Sequence, residues 1–138
     1  MNTQEMLKML TEYFSGFIFH ESFIKEFYNI LRKNVSGKEK ALFNQLYTQL
    51  TNIKKMGHMI YMADDNEQLK GEGGRYYSIH LTSSQYNIRL LICFDKNEEP
   101  YFLCAFYERS GKSRSSYERY IPLLNQRYNQ LLGDVNNE

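Results

Sequence analysis

A guanidinium in the middle of an apolar run is the most chemically suggestive feature of this sequence. Arg89 stands within Ile88-Arg89-Leu90-Leu91-Ile92, and because arginine cannot shed its proton it must meet an anion or a carboxylate wherever the fold puts it. Other polar groups able to act with it are His80, Glu108, Arg109, Lys112, Arg114, Tyr117 and Arg119, all in the second half of the chain. His80 suits proton transfer in either direction near neutrality, Glu108 suits a base, and Tyr117 suits an acid or a stacking surface. The arginines and Lys112 would stabilise negative charge. A purely structural reading stands beside this one: Arg89 paired with Glu108 on a neighbouring strand, His80 as an ordinary half-buried strand residue, and the remaining cations as solvated surface charges.

The basic residues are concentrated locally. Across 107–127, Arg109, Lys112, Arg114, Arg119 and Arg127 outnumber Glu108 and Glu118, whereas the whole chain carries 17 Lys+Arg against 16 Asp+Glu, a net charge of +1. Attraction to a polyanion must therefore come from this patch and not from the overall charge. Other motifs fail on spacing. Gly111-Lys112-Ser113 resembles the end of a phosphate loop, but Phe106 occupies the position that needs the first glycine. His20, His58 and His80 are scattered without a cysteine partner at ligand spacing, and the acidic run 64–67 lacks the alternating ligands of a calcium loop. No G-x-S-x-G elbow occurs. No metal or cofactor is expected. Cys93 and Cys104 lie in apolar runs without C-x-x-C spacing, as expected of buried reduced thiols.

The elements that must position these groups follow from periodicity. Met6, Leu7, Leu10, Tyr13 and Phe14 recur at helical spacing over residues 2–14, and Phe17-Ile18-Phe19 reads as a short first strand. Phe23, Phe27, Ile30 and Leu31 predict a second helix ending near Asn34. Ser36 and Glu39 fit a capping box opening a third helix, whose stripe of Leu42, Leu46, Leu50 and Ile53 ends at Gly57, and the two helices form an antiparallel hairpin. Beyond the polar and glycine-rich 64–74 the period drops to two. Strands are predicted over 76–81, 87–95 and 100–108, in an antiparallel meander. In the second strand Ile88, Leu90, Ile92 and Phe94 face one way and Arg89, Leu91 and Cys93 the other. Residues 109–116 form a basic connector, and Ile121, Leu124, Tyr128 and Leu131 mark a final helix with Pro122 in its first turn and Gly133 as its stop.

The expected architecture is α+β: N-terminal helices, including the hairpin, packed on a small antiparallel sheet, then a C-terminal helix. At 138 residues, 42% hydrophobic and 24% charged, one folded domain over 1–138 is expected, with 1–16 as an added helix and 134–138 as a frayed tail. No run approaches the roughly 18 apolar residues of a membrane span, and residues 1–10 lack an export signal, so a cytoplasmic protein is expected.

Several stretches carry a resemblance. Leu69-Lys70-Gly71, Tyr76-Tyr77-Ser78-Ile79-His80, Asn87-Ile88-Arg89-Leu90-Leu91-Ile92 and Leu103-Cys104-Ala105-Phe106-Tyr107-Glu108-Arg109-Ser110-Gly111-Lys112 resemble the RelE/ParE superfamily of bacterial toxins, closest to the phage-associated HigB-like branch. The resemblance covers about residues 17–132 and rests on short motifs. It implies a RelE-like fold, a small antiparallel sheet with a helical hairpin against it. It also implies the toxin of a toxin–antitoxin system, an endoribonuclease that cleaves mRNA on the ribosome without a metal and so stops translation. Arg89 matches the family's sheet arginine, which would contact the scissile phosphate, and Arg109 and Lys112 match its basic segment. Tyr117 lies where some members place a functional aromatic residue, and His80 and Glu108 would move protons. Arg75, Arg114 and Arg119 would bind RNA. The implied partners are a cognate antitoxin, mRNA with the ribosome, and a second copy of the chain.

The reaction so implied is attack of a ribose 2′-OH on its own 3′-phosphate, giving a cyclic phosphate and a 5′-OH. ParE-like members instead poison DNA gyrase, and a non-catalytic binding protein or a phage regulatory factor on the same fold is the alternative. Two features depart from the family: the net charge of +1 is low for a protein that grips phosphates, and the first helix has no counterpart in the minimal fold.

Overall fold

The computed structural model describes residues 3–108 and 117–133. On them it places four helices, α1 (Thr3–Tyr13), α2 (Glu21–Asn34), α3 (Glu39–Met56) and α4 (Ile121–Tyr128). The strands are β1 (Ile18–Phe19), β2 (Glu67–Gln68), β3 (Tyr77–Thr82), β4 (Asn87–Phe94) and β5 (Pro100–Tyr107), in one sheet of order β1-β5-β4-β3-β2. The class is α+β, as the segregation of helical and period-two segments along the chain requires. The connector 109–116, with Arg109, Lys112 and Arg114, and the tail 134–138 lie outside the described residues.

The sheet departs from the expected all-antiparallel meander. β2 through β5 pair antiparallel, but β1 joins the outer edge of β5 in parallel, with Ile18 opposite Tyr101 and Phe19 opposite Phe102. Its direction is not fixed by a hairpin turn, because β2, β3 and β4 intervene in sequence between the two paired strands, and a parallel neighbour needs only a long crossover.

Alternation along β3 and β4 divides the interior into two cores. Tyr77, Ile79, Leu81, Ile88, Leu90 and Ile92 meet Met6, Phe27, Leu31, Leu42, Leu46 and Leu50 from α1, α2 and α3 on the first face. Tyr76, Leu91, Cys93, Leu103, Cys104 and Phe106 meet Leu124 and Leu132 on the second. At the centre of the first core Phe102 lies 4.9 Å from Phe19, 5.5 Å from Phe23 and 5.9 Å from Phe17, ring to ring. Losing such a buried ring costs about 3–5 kcal/mol. A bulge sits between Leu91 and Ile92 of β4: Leu91 pairs with Cys104 while Ile92 pairs with Phe102, so Leu103 is the extra residue.

The helices differ from expectation mainly at their ends and contacts. α2 and α3 are joined by the short turn at 35–38, but α2 packs chiefly on β5 while α3 packs on α1 and β3. α1 adds Met6, Leu10 and Phe14 to the first core. The capping box does not form: the residue before α3 is Lys38, without a side-chain cap. Gly37 takes φ +86° there, and the chain reaches helical geometry only after that turn. Gly57 closes α3 as expected, its N–H bonding the Ile53 carbonyl at φ +57°. Pro122 lies in the first turn of α4, and the chain continues through a π-helical turn to Gly133. No described helix is long and apolar enough to cross a membrane.

Candidate functional site

On the second face, α4 covers only part of the sheet, and beyond it the alternating positions turn polar. Ser78 and His80 follow Tyr76 along β3, and Arg89 follows Leu91 along β4 toward its start. His80 and Arg89 stand directly opposite each other, and Glu108 lies just past β5, its backbone N–H on the Asn87 carbonyl at 2.8 Å. The three line one open hollow of about 670 Å³, completed by Asp65, Tyr107 and the β3–β4 turn from Ser83 to Asn87.

His80 is fixed through its backbone by two buried amides. β2 spans only two residues and reaches no further than Ser78, so the peptide groups of His80 would lack partners on that side. Asn66 Oδ1 accepts from the His80 N–H at 2.9 Å, and Gln49 Nε2 donates to the His80 carbonyl at 3.1 Å. Asn66 and Gln49 also bond each other, with Asn66 Nδ2 donating to Gln49 Oε1 at 3.0 Å. Leaving such groups unpaired costs about 1–3 kcal/mol each, so this lattice sets where the imidazole stands.

The imidazole itself is held through Nε2, which lies 3.0 Å from Glu67 Oε2 and 3.3 Å from Tyr117 Oη. Tyr117 Oη in turn lies 2.8 Å from Glu67 Oε2 and 2.9 Å from Ser78 Oγ. Burial and the neighbouring Arg89 charge lower the pKa of His80 below its ordinary value, against an opposing pull from Glu67 and Asp65. His80 is therefore a neutral imidazole near pH 7. Burial pushes the Tyr117 phenol up to about 12, so it keeps its proton.

Arg89 is half-buried and donates from Nη1 to the side-chain oxygen of Asn87 and, at 3.5 Å, to the Ile88 carbonyl. Both acceptors are neutral. Its Nε is buried with no hydrogen-bond partner among the described residues. Across β5 the residue opposite Arg89 is Phe106, with Glu108 one step diagonal to it, and Glu108 is itself buried and engaged.

The structure thus gathers His80, Arg89, Glu108 and Tyr117. Arg75 does not join them: it sits beyond the opposite end of β3, its guanidinium 4.4 Å above the Tyr128 ring. Arg119 is exposed and lies 5.0 Å over Tyr120, which stacks on Phe106 at 4.3 Å. Arg109, Lys112 and Arg114 are outside the described residues, so the ionised groups described in the hollow's lining are the carboxylates of Asp65 and Glu108 and the single guanidinium. Glu67, Asn66 and Gln49 were not anticipated. Ser78 was open to prediction, since it shares the period-two face of Tyr76 and His80, whereas Glu67 sits in a polar run with no period. Among the described residues no group of three or more His, Cys, Asp or Glu side chains could hold a metal ion.

Comparison with protein-family models, curated proteins and solved structures finds no match to this chain.

Proposed function

We propose that the protein is a metal-independent endoribonuclease that arrests translation, the toxin of a toxin–antitoxin pair with a RelE-like fold. The observation that carries this reading is the direct cross-strand placement of Arg89 and His80 at the mouth of an open hollow. A permanent cation whose described hydrogen-bond acceptors are neutral is suited to a phosphodiester. A neutral imidazole beside it is suited to a proton from a ribose hydroxyl. The ribosome and mRNA would supply the orientation of the scissile bond, and an antitoxin covering this face would silence it.

A second reading, a non-catalytic binder of gyrase or another protein, draws support from the hollow's described lining, where two carboxylates accompany the guanidinium. Polyanion binding at such a place leans on cations contributed from outside it.

Expression from a tight promoter tests the choice, comparing the wild type with Arg89→Ala and with Arg109→Ala/Lys112→Ala. Growth arrest with fragmented mRNA, abolished in both variants, is the expected result. Arrest with intact mRNA and broken DNA would favour the gyrase reading. A folded protein that causes no arrest would end the toxin reading.

A further inference from the structure

His80 lines the hollow, but the two side chains that bond its Nε2, Glu67 and Tyr117, do not. The groups that hold Nε2 thus lie outside the hollow that His80 lines. Glu67 Oε2 at 3.0 Å can only accept, so the nitrogen facing it carries the proton and Nδ1 carries the lone pair. Tyr117 reinforces the arrangement, its hydroxyl lying within hydrogen-bond distance of both Glu67 and Ser78. This is how a carboxylate behind an imidazole sets its tautomer and then stabilises the cation formed when the ring takes a second proton.

We infer that Glu67 is a positioning residue that fixes His80 as the Nε2–H tautomer, making Nδ1 the proton-accepting atom at the hollow. Applied to RNA, the inference rests on the ribonuclease reading. His80 Nδ1 takes the proton of the ribose 2′-OH, the 2′ oxygen forms its bond to phosphorus, and the bond from phosphorus to the 5′ oxygen breaks. The leaving oxygen takes a proton from solvent, and the imidazolium later returns its own to solvent. Glu67 offsets the imidazolium charge while Arg89 faces the phosphoryl oxygens. The charged and titratable groups described around the ring are Glu67 from β2, Asp64 and Asp65 from the segment before it, Arg89 from β4, Glu108 just past β5 and Tyr117 from the segment preceding α4. α3 presents the neutral Gln45, Thr48 and Gln49.

The test uses the full chain labelled with ¹⁵N and reads the His80 ring nitrogens by NMR through a pH titration, in the wild type and in Glu67→Gln and Glu67→Ala. Nε2–H in the wild type, a lower His80 pKa in Glu67→Gln and a mixed tautomer in Glu67→Ala are expected. Nδ1–H in the wild type, or a tautomer and pKa unmoved by either substitution, would overturn the inference. Backbone spectra that match across the three proteins separate this from unfolding. In parallel, cleavage of a ribosome-bound mRNA should fall roughly a hundredfold in His80→Ala, and the acidic limb of its pH profile should move to lower pH in Glu67→Gln, with Glu67→Asp restoring part of the rate. Cleavage by all variants at the wild-type rate and pH profile overturns the base assignment. A wild type with the expected tautomer but no cleavage removes the ribonuclease reading while upholding the Glu67–His80 pairing.

Discussion

Arg127 of α4 grips Glu26 of α2 through two hydrogen bonds, from Nη2 to Oε2 at 2.7 Å and from Nη1 to Oε1 at 2.9 Å, at the edge of β5 that the two-residue β1 leaves uncovered. Both partners also serve the strand: Arg127 donates to the Leu103 carbonyl at 2.7 Å, and Glu26 Oε1 accepts from the Ala105 N–H at 3.1 Å. The pair therefore takes over the bonding that a longer edge strand would have provided, and it joins the helices from the two faces of the sheet.

Breaking this pair should be costly because one member is nearly sealed, with side-chain exposures of 10% for Arg127 and 29% for Glu26. Glu26→Ala strands a buried guanidinium and an edge N–H, and should lower unfolding free energy by about 3 kcal/mol. Glu26→Gln keeps the acceptor for Ala105 and should cost less. Replacing both by apolar residues of like volume should not restore stability, since the Leu103 carbonyl and Ala105 N–H stay unpaired. Urea denaturation midpoints of the three variants check the order.

Arg89 should behave in the opposite way. Its Nε is buried with no partner among the described residues, so Arg89→Met removes a desolvated donor and should leave the fold as stable or about 1 kcal/mol more stable, while abolishing growth arrest. Thermal unfolding read beside the arrest assay decides this. A strongly destabilised variant would assign Arg89 a structural role instead.

Stability should fall on mild acidification. Burial and Arg89 depress the His80 pKa in the folded state, so between that value and the unfolded value of about 6.5 the unfolded chain binds more protons. The folded state thus holds its full advantage above about pH 6.5 and loses it as pH drops through this window. His80→Gln should flatten that part of the profile of unfolding free energy against pH.

Both thiols should resist modification in the native state. Cys93 and Cys104 are buried, and burial pushes each up to about 12, so the thiolate is scarce at pH 8. A thiol-reactive disulfide reagent should titrate neither until denaturant is added, and both afterwards.

How much of this was visible in the sequence depended on whether a residue's partner lay within the reach of a local period. The alternation through β4 correctly separated Arg89, Leu91 and Cys93 from Ile88, Leu90 and Ile92, because a buried strand records its two faces in residue type. The burst Phe17-Ile18-Phe19 announced β1 but not its direction, which pairing with β5 determines. Glu67 and Gln68 form a strand of two exposed polar residues, too short for any pattern, and the carboxylate behind His80 went unnoticed with it. Ser36 and Glu39 satisfied a local rule that Gly37 overrode by turning the chain at positive φ. Glu26 and Arg127 meet from distant parts of the chain, and nothing in either neighbourhood marks the pairing.

The extra residue at Leu103 sets the phase of everything after it in β5. Leu103 and the following Cys104 both face the second core, after which Phe106 and Glu108 fall on the same side as Arg89. If the strand ran through this point without the bulge, strict alternation from Phe102 would carry Phe106 and Glu108 to the helix-covered side of Ile88 and Leu90, away from Arg89. The bulge is thus a parity correction: it absorbs one surplus residue so that the segment downstream keeps its facing, and excising Leu103 would leave that facing unchanged.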